Sequence, residues 1–319
     1  MAEAVAIRTE NLTKHFDAVR AITNLSIDVP TGTIFGFLGP NGSGKTTTIR
    51  LLLGLLEPTF GSASVLGYDA RAEGEHIRAH AGALLEHPGI YERLTAEDNL
   101  EFYARAWKIP AGERRERIKE LLTSFDLWDR RGQDAGQWSR GMKQKLAVAR
   151  AMLHRPRLIF LDEPTAGFDP IAAASFGTEL AALAEREGTT VFLTSHNLVE
   201  VEKLCGRVAV IRRGELVAYG SPGEIRAEAG GRYLKIVGTG MTQRTLDVVR
   251  CFPRVLAADL FEDHLRIDMD DVSRVAPLVR MLIESGVEVE EIRKGTVSLE
   301  AAFLGLMQDD AAPSPGEDR

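Results

Sequence analysis

The chain has 319 residues, 44% hydrophobic and 27% charged, which is enough to build a substantial core and excludes a fibrous or wholly disordered polypeptide. At about 150 residues per domain, this length holds one large domain and a smaller one. Its 39 Lys and Arg against 46 Asp and Glu leave a formal net charge of -7, removing the bulk electrostatic basis for general nucleic-acid binding. The only cysteines, Cys205 and Cys251, are far apart in sequence, so a disulfide scaffold and a thiolate zinc site are not expected, and a reducing compartment fits. The opening MAEAVAIRTE shows no cationic start followed by an apolar stretch, and no run reaches the ~18 to 20 apolar residues of a membrane helix. Any membrane role is therefore expected to come through a partner.

In chain order, Val5 to Glu10 and Leu25 to Val29 alternate as strands do, and Thr33 to Leu38 is an apolar run that ends in a glycine-rich turn. TTTIRLLLGLLEP then predicts a helix that stops before Pro58, giving strand, glycine loop, helix. AGALLE is strand-like. LTAEDNLEFYARAWK reads as a helix that starts at Thr95, with Asp98 three residues on as a weak capping box, and ERRERIKELLTSF as a second. These place a mostly helical insertion between about Glu92 and Gly136. From Ser139, the positions Met142, Leu146, Ala149 and Leu153 share a helical face closed by Pro156. The strand RLIFLDEP follows, then helix Ile171 to Ala184, strand Thr190 to Thr194, helix Asn197 to Leu204, strand Val208 to Arg212, and the short strand ELVAYG. Strands alternating with crossover helices predict a largely parallel sheet covered on both faces.

In SPGEIRAEAG, Ser221 can cap and Pro222 can open a helix. After Gly231, Leu234 and Ile236 alternate with charge, Leu246 and Val249 mark a helix, and Leu265, Ile267 and Met269 a half-buried strand. Val272, Val275, Leu278 and Leu282 form a helical stripe that contains Pro277, VEVEEI is strand-like, SLEAAFLGLM is a last helix, and QDDAAPSPGEDR is a disordered acidic tail. The expected organisation is a large α/β domain over 1–230, a small α+β domain over 231–307, and the tail 308–319.

Gly39-Pro40-Asn41-Gly42-Ser43-Gly44-Lys45-Thr46 fits the phosphate-loop pattern G-x-x-x-x-G-K-[ST] and lies between the expected strand and helix. Glycines let backbone N–H groups wrap a diphosphate, the helix terminus adds positive potential, and Lys45 reaches the outer phosphates. Thr46 would hold Mg²⁺ through its hydroxyl, and Thr47 offers another phosphate contact. Downstream, the buried run Leu158 to Leu161 ends in Asp162-Glu163, placing two carboxylates at the carboxyl end of a strand, where open α/β sheets bind ligands. Asp162 would bind Mg²⁺ directly or through water, and Glu163 would polarise the attacking water.

With these residues in order, positions 5 to 220 resemble the ATP-binding subunits of ABC transporters: a P-loop NTPase core carrying the ABC-type helical insertion. The resemblance rests on the phosphate loop, a signature-like Trp138-Ser139-Arg140-Gly141-Met142, the run Leu161 to Pro170, and Thr194-Ser195-His196. It implies two copies closed head to tail around two ATP molecules, with Ser139 and Gly141 of one copy contacting the γ-phosphate bound by the other. Ser139 can also serve as a plain helix cap. His196 would meet the same γ-phosphate, although a lone histidine after a strand is more often structural. Asp169 matches the loop aspartate that crosses between copies and orders the water near Glu163, or is simply a turn residue before Pro170. Phe16 stands where an aromatic residue stacks on adenine, or it fills core.

Two positions depart from the family's commonest pattern. Glu86 replaces a glutamine that touches Mg²⁺ and links the site to the membrane partner; either side chain keeps an oxygen ligand. Arg140 replaces the first of two signature glycines. Both features, and the small domain after Gly231, resemble a subgroup that exports drugs or bacitracin-like and lantibiotic-like peptides. The resemblance implies Mg²⁺-dependent ATP hydrolysis at the cytoplasmic face of the cell membrane, with Lys45, Glu163 and His196 as catalytic groups. Integral-membrane permeases would dock on the helical insertion, and no nucleic acid is involved. The alternatives are a soluble ABC-type ATPase and a binding module that uses ATP only as a dimer clamp. By analogy, the small domain adds dimer contacts, regulates closure or covers an edge.

Overall fold

The computed structural model describes residues 4–228, 232–261, 263–269, 275–296 and 298–308. The chain divides into two compact units, Met1–Ser221 and Pro222–Arg319. The first opens with β1 (Val5–Phe16), β2 (Val19–Leu25), β3 (Asp28–Pro30), β4 (Ile34–Leu38), α1 (Lys45–Leu52), β5 (Phe60–Val65), β6 (Tyr68–Asp69), α2 (Gly74–His80) and β7 (Ala81–Leu84). The helices α3 (Ala96–Ala106), α4 (Ala111–Ser124) and α5 (Arg140–Met152) follow. The unit ends with β8 (Leu158–Asp162), α6 (Pro170–Glu187), β9 (Thr190–Ser195), α7 (Leu198–Leu204), β10 (Arg207–Arg212) and β11 (Glu215–Gly220).

Six strands form the main sheet in the order β11-β10-β4-β9-β8-β7, parallel throughout except for the β10–β11 hairpin. Every residue of β8 and β9 is buried, because a sheet with both faces covered leaves no polar side for alternation. The Phe192 ring of β9 packs 5.5 Å from Phe35 and 5.4 Å from Phe37 on β4, and 5.6 Å from Phe160 on β8. That aromatic cluster fixes the three strands whose carboxyl ends carry the phosphate loop, Asp162 and Ser195.

A second, antiparallel sheet runs β2-β1-β5-β6, with β3 also on β1. Its extent is not legible from alternation. β1 continues past Glu10 to Phe16 through register shifts, turns at Asp17 (φ 49°), and returns as β2. The expected strand Leu25 to Val29 is split: Ile27 N–H donates to Thr9 Oγ1 and Asn11 N–H to Ser26 Oγ, so the segment changes partner between β2 and β3. The helix expected to reach Pro58 ends at Leu52, because Gly54 adopts φ 62° and the N–H groups of Leu55 and Leu56 fold back to the Arg50 carbonyl.

In the helical insertion, Thr95 caps α3 by accepting from Asp98 N–H, as its spacing predicts. α4 is fastened by Arg117, 4% exposed, which reaches Glu187 at 2.5 Å and donates to the Met152 and Leu153 carbonyls at the end of α5. No helix among the described residues is long and apolar enough to cross a membrane.

The second unit contains α8 (Pro222–Glu228), β12 (Arg232–Thr239), α9 (Gln243–Arg250), β13 (Val255–Leu260), β14 (His264–Met269), α10 (Ala276–Glu284), β15 (Glu288–Thr296) and α11 (Leu299–Gln308). The antiparallel order β13-β14-β12-β15 with its two crossover helices is a split βαβ arrangement. One face packs Leu234, Ile236, Leu265 and Ile267 against Leu246, Val249, Leu278 and Leu282 of α9 and α10. Pro277 sits in the first turn of α10, where its missing N–H leaves no bond unmade. β13 was not marked by the sequence pattern, since Leu256 and Asp259 are exposed and only Ala258 is buried. Gly231, Val272 and tail residues 309–319 lie outside the described residues.

Candidate nucleotide site

The loop between β4 and α1 owes its path to glycine. Gly42 and Gly44 adopt φ 78° and 107°, and a Cβ on Gly44 would lie 2.4 Å from the Ile22 side chain and 2.5 Å from the Ala21 carbonyl. A Cβ on Gly39 would meet Ser43 Oγ and the Ile211 carbonyl at 2.4 Å. Ser43, 2% exposed, has a hydroxyl with no hydrogen-bond partner among the described residues. A buried donor left over in a glycine cradle fits a phosphate oxygen.

Lys45, the first residue of α1, is 7% exposed. Its Nζ donates to the Gly39 carbonyl at 2.8 Å and the Pro40 carbonyl at 3.3 Å, and lies 3.3 Å from Glu163 Oε1. The other carboxylate oxygen of Glu163 is 2.7 Å from His196 Nδ1. Lys45, more than a hundred residues before Glu163 and His196 in the chain, thus forms one continuous contact with them at the carboxyl ends of β4, β8 and β9. Glu163 itself has φ 50°, an uncommon left-handed conformation for a side-chain-bearing residue, of the kind found at working sites.

Beside it, Thr46 Oγ1 donates to Asp162 Oδ2 at 2.6 Å, and Thr194 Oγ1 donates to Asp162 Oδ1 at 2.6 Å. Thr194 Oγ1 also accepts from the Glu163 N–H at 2.9 Å. Thr194 is thus a tie between the two carboxylate-bearing residues that strand pattern alone did not single out. The hydroxyl of Thr46 and the buried carboxylate of Asp162 are hard oxygen donors, the type a divalent cation such as Mg²⁺ takes.

These groups open on a cavity of about 690 Å³, lined by Asn41, Gly42, Gly44, Lys45, Thr46, Thr47, Asp162 and Glu163. Glu86 lines its rim, with Oε1 3.2 Å from Arg50. Residues that the sequence reading did not assign also face it: Val19, Arg20 and Ala21 of β2, and Arg140, Lys143 and Gln144 of α5. Phe16 does not line it; the ring is 43% exposed at the end of β1, with Lys14 Nζ 5.0 Å from its centroid. Ser139, Gly141 and Asp169 are likewise outside the cavity lining. Ser139 Oγ caps α5 by accepting from Met142 N–H, and Asp169 caps α6 by accepting from the N–H groups of Ile171 and Ala172. Gly141 lies against Phe168, and the Arg140 guanidinium covers Gly167, where a Cβ would meet it at 2.8 Å.

A protein-family model described as "ABC transporter" matches residues 22–166. The chain is 34% identical over 317 residues to the daunorubicin resistance ATP-binding protein DrrA3 of Streptomyces coeruleorubidus, covering 96% of each chain. It is 34% identical over 309 residues to the bacitracin transport ATP-binding protein BcrA of Bacillus licheniformis, covering 94% of this chain and 97% of that one. A solved ATP-binding subunit of an ABC transporter superposes with a TM-score of 0.63 at 30% identity, over 70% of this chain and 93% of its own.

Proposed function

This chain belongs to the ATP-binding subunits of ABC transporters, and from that premise we propose how its residues divide the work of ATP hydrolysis and transport. As a member of the family, it binds and hydrolyses ATP and works with membrane permease partners. In the proposed reading, the glycine-cradled N–H groups, Ser43 and Lys45 bind the β- and γ-phosphates. Glu163 orients and polarises the attacking water. His196, held against Glu163, faces the same transferred phosphoryl group. Mg²⁺ bound by Thr46 and Asp162, with Glu86 at the rim, would neutralise phosphate charge. Phosphoryl transfer to water depends chiefly on such positioning and electrostatic stabilisation.

Ser139, Gly141 and Asp169 lie outside the lining of their own chain's cavity. This supports their use against a second copy in a head-to-tail pair, closed by two ATP molecules and reopened by hydrolysis. The relatives named for daunorubicin resistance and bacitracin transport support export of a drug or antimicrobial peptide as the work done. A permease is proposed to dock on the helical insertion, at whose start the Tyr91 and Phe102 rings, 47% and 48% exposed, meet edge to face with centroids 5.0 Å apart.

The single observation that carries the reading is the Lys45–Glu163–His196 contact, in which Lys45 and Glu163 line the cavity and His196 lies outside its lining, against Glu163. Glu163→Gln tests it. Turnover is expected to fall ~10²- to 10⁴-fold, the usual contribution of a positioned general base. ATP affinity should persist, and dimers should accumulate in light scattering on adding Mg·ATP. Normal turnover would remove Glu163 from its role, and a variant that stays monomeric with ATP bound would remove the paired arrangement.

A further inference from the structure

Glu200 is a buried carboxylate to which the reading above gives no part. It lies on α7, 9% exposed, four residues after His196. Its Oε2 accepts a hydrogen bond from Thr165 Oγ1 at 2.7 Å, and Thr165 lies two residues after Glu163. The same two segments therefore meet twice: once where Glu163 touches His196 at 2.7 Å, and again where Thr165 touches Glu200.

The rest of the junction leaves the second contact a defined task. Upstream of the Glu163 side chain, the backbone is tied by its N–H to Thr194 Oγ1. Downstream, the loop's backbone hydrogen bonds among the described residues are its own short turns, Ala166 N–H to the Glu163 carbonyl and Phe168 N–H to the Thr165 carbonyl, while Arg140 and Phe176 pack against its later residues Gly167 and Phe168. On the opposite side, the turn into α7 is set by Asn197, whose N–H donates to Ser195 Oγ and whose side chain accepts from the Glu200 N–H. With Glu163 at φ 50°, this loop holds a conformation that its own residues do not favour, so contacts from outside the loop must maintain it.

We propose that Glu200 is a positioning residue for hydrolysis: by accepting from Thr165, it clamps the loop that carries Glu163 onto the helix that follows His196, keeping Glu163 at the cavity wall and in contact with His196. Burial pushes the Glu200 carboxyl above its usual range, the Thr165 hydroxyl pulls it back, and Glu163 adds repulsion. A carboxyl kept in that setting carries a cost, and the Thr165 bond is the partner that offsets it.

The inference rests on the proposed role of Glu163, and the test keeps the two apart. Steady-state ATP hydrolysis and ATP affinity are measured for full-length Thr165→Val, Thr165→Ser, Glu200→Ala, Glu200→Gln and the Thr165→Val/Glu200→Ala pair, beside Glu163→Gln. A loosened reacting group loses rate at constant affinity, so Thr165→Val and Glu200→Ala are expected to lower kcat about tenfold with KM for ATP unchanged. Thr165→Ser and Glu200→Gln, which keep a donor and an acceptor, should restore most of it. The double variant should be no slower than either single one, because both remove the same bond. Thr165→Val is nearly isosteric and covers the case in which Glu200→Ala fails to fold. Unchanged kcat in Thr165→Val, or losses that multiply in the pair, overturns the clamp while Glu163→Gln stays inactive. Full turnover in Glu163→Gln instead overturns the reading beneath it.

Discussion

The contact that joins Lys45, Glu163 and His196 shows how a short-range interaction can depend on long-range folding. Lys45 and Glu163 were marked by local patterns: a glycine loop before a helix, and carboxylates after an apolar run. Thr194 and Thr165 fall inside motifs of the resemblance but have no role assigned by them, and nothing local marks Glu200; their hydroxyls and carboxylate matter because β8, β9 and α7 bring them within 2.9 Å of their partners. Elsewhere in the unit, the ring of His154 stacks on Trp107 with centroids 3.9 Å apart. Burial lowers its pKa to about 4, against the pull of the Ala81 carbonyl. The unfolded chain takes up this proton below about pH 6.5, whereas the native chain resists until about pH 4. The unfolded state therefore binds more protons in that window, and stability falls as pH drops through it. His154→Phe keeps the stacked ring without the titration, so the pH dependence of the urea midpoint between pH 4 and 6.5 should flatten. A slope equal to that of the parent chain would place the acid sensitivity elsewhere.

At the scale of elements, the helical insertion was expected from its patterns, and α3 and α4 fall within it. How it is fastened was not legible, because Arg117, Glu120 and Glu187 read as the solvated charges of amphipathic helices. In the fold, Arg117 and Glu187 are 4% and 5% exposed and bridge α4 to the end of α6, while Arg117 also satisfies carbonyls that end α5. Removing one partner of a buried pair leaves an unmatched charge, which costs ~3–5 kcal/mol. Glu187→Ala is therefore expected to lower the unfolding free energy from chemical denaturation by a margin of that order, with Glu120, 2.9 Å from the same guanidinium, as the only described carboxylate left in direct contact. A change below ~1 kcal/mol would assign the pair the small value of a surface bridge. The early end of α1 teaches the converse: apolar composition extended the expected helix to Pro58, and the left-handed Gly54 ended it at Leu52.

At the scale of the molecule, every residue that lines the nucleotide cavity belongs to the unit Met1–Ser221. A chain ending at Ser221 should therefore bind ATP with unchanged affinity by fluorescence titration. Its ATP-dependent pairing should weaken if the unit Pro222–Arg319 adds dimer contacts, one of the three tasks that analogy gives the small domain. Equal pairing by light scattering would leave that unit another task. The sequence by itself determined the strand–loop–helix around Lys45, the carboxylates closing β8 and the alternation of strands and helices, because each follows from backbone chemistry within a few residues. Only the tertiary structure decided which hydroxyls tie Asp162 and Glu163 together, that β2 and α5 help line the cavity, and that Phe16 stands apart from it. Such relations join residues far apart in the chain, and the order in which strands lie side by side sets them, not any local preference.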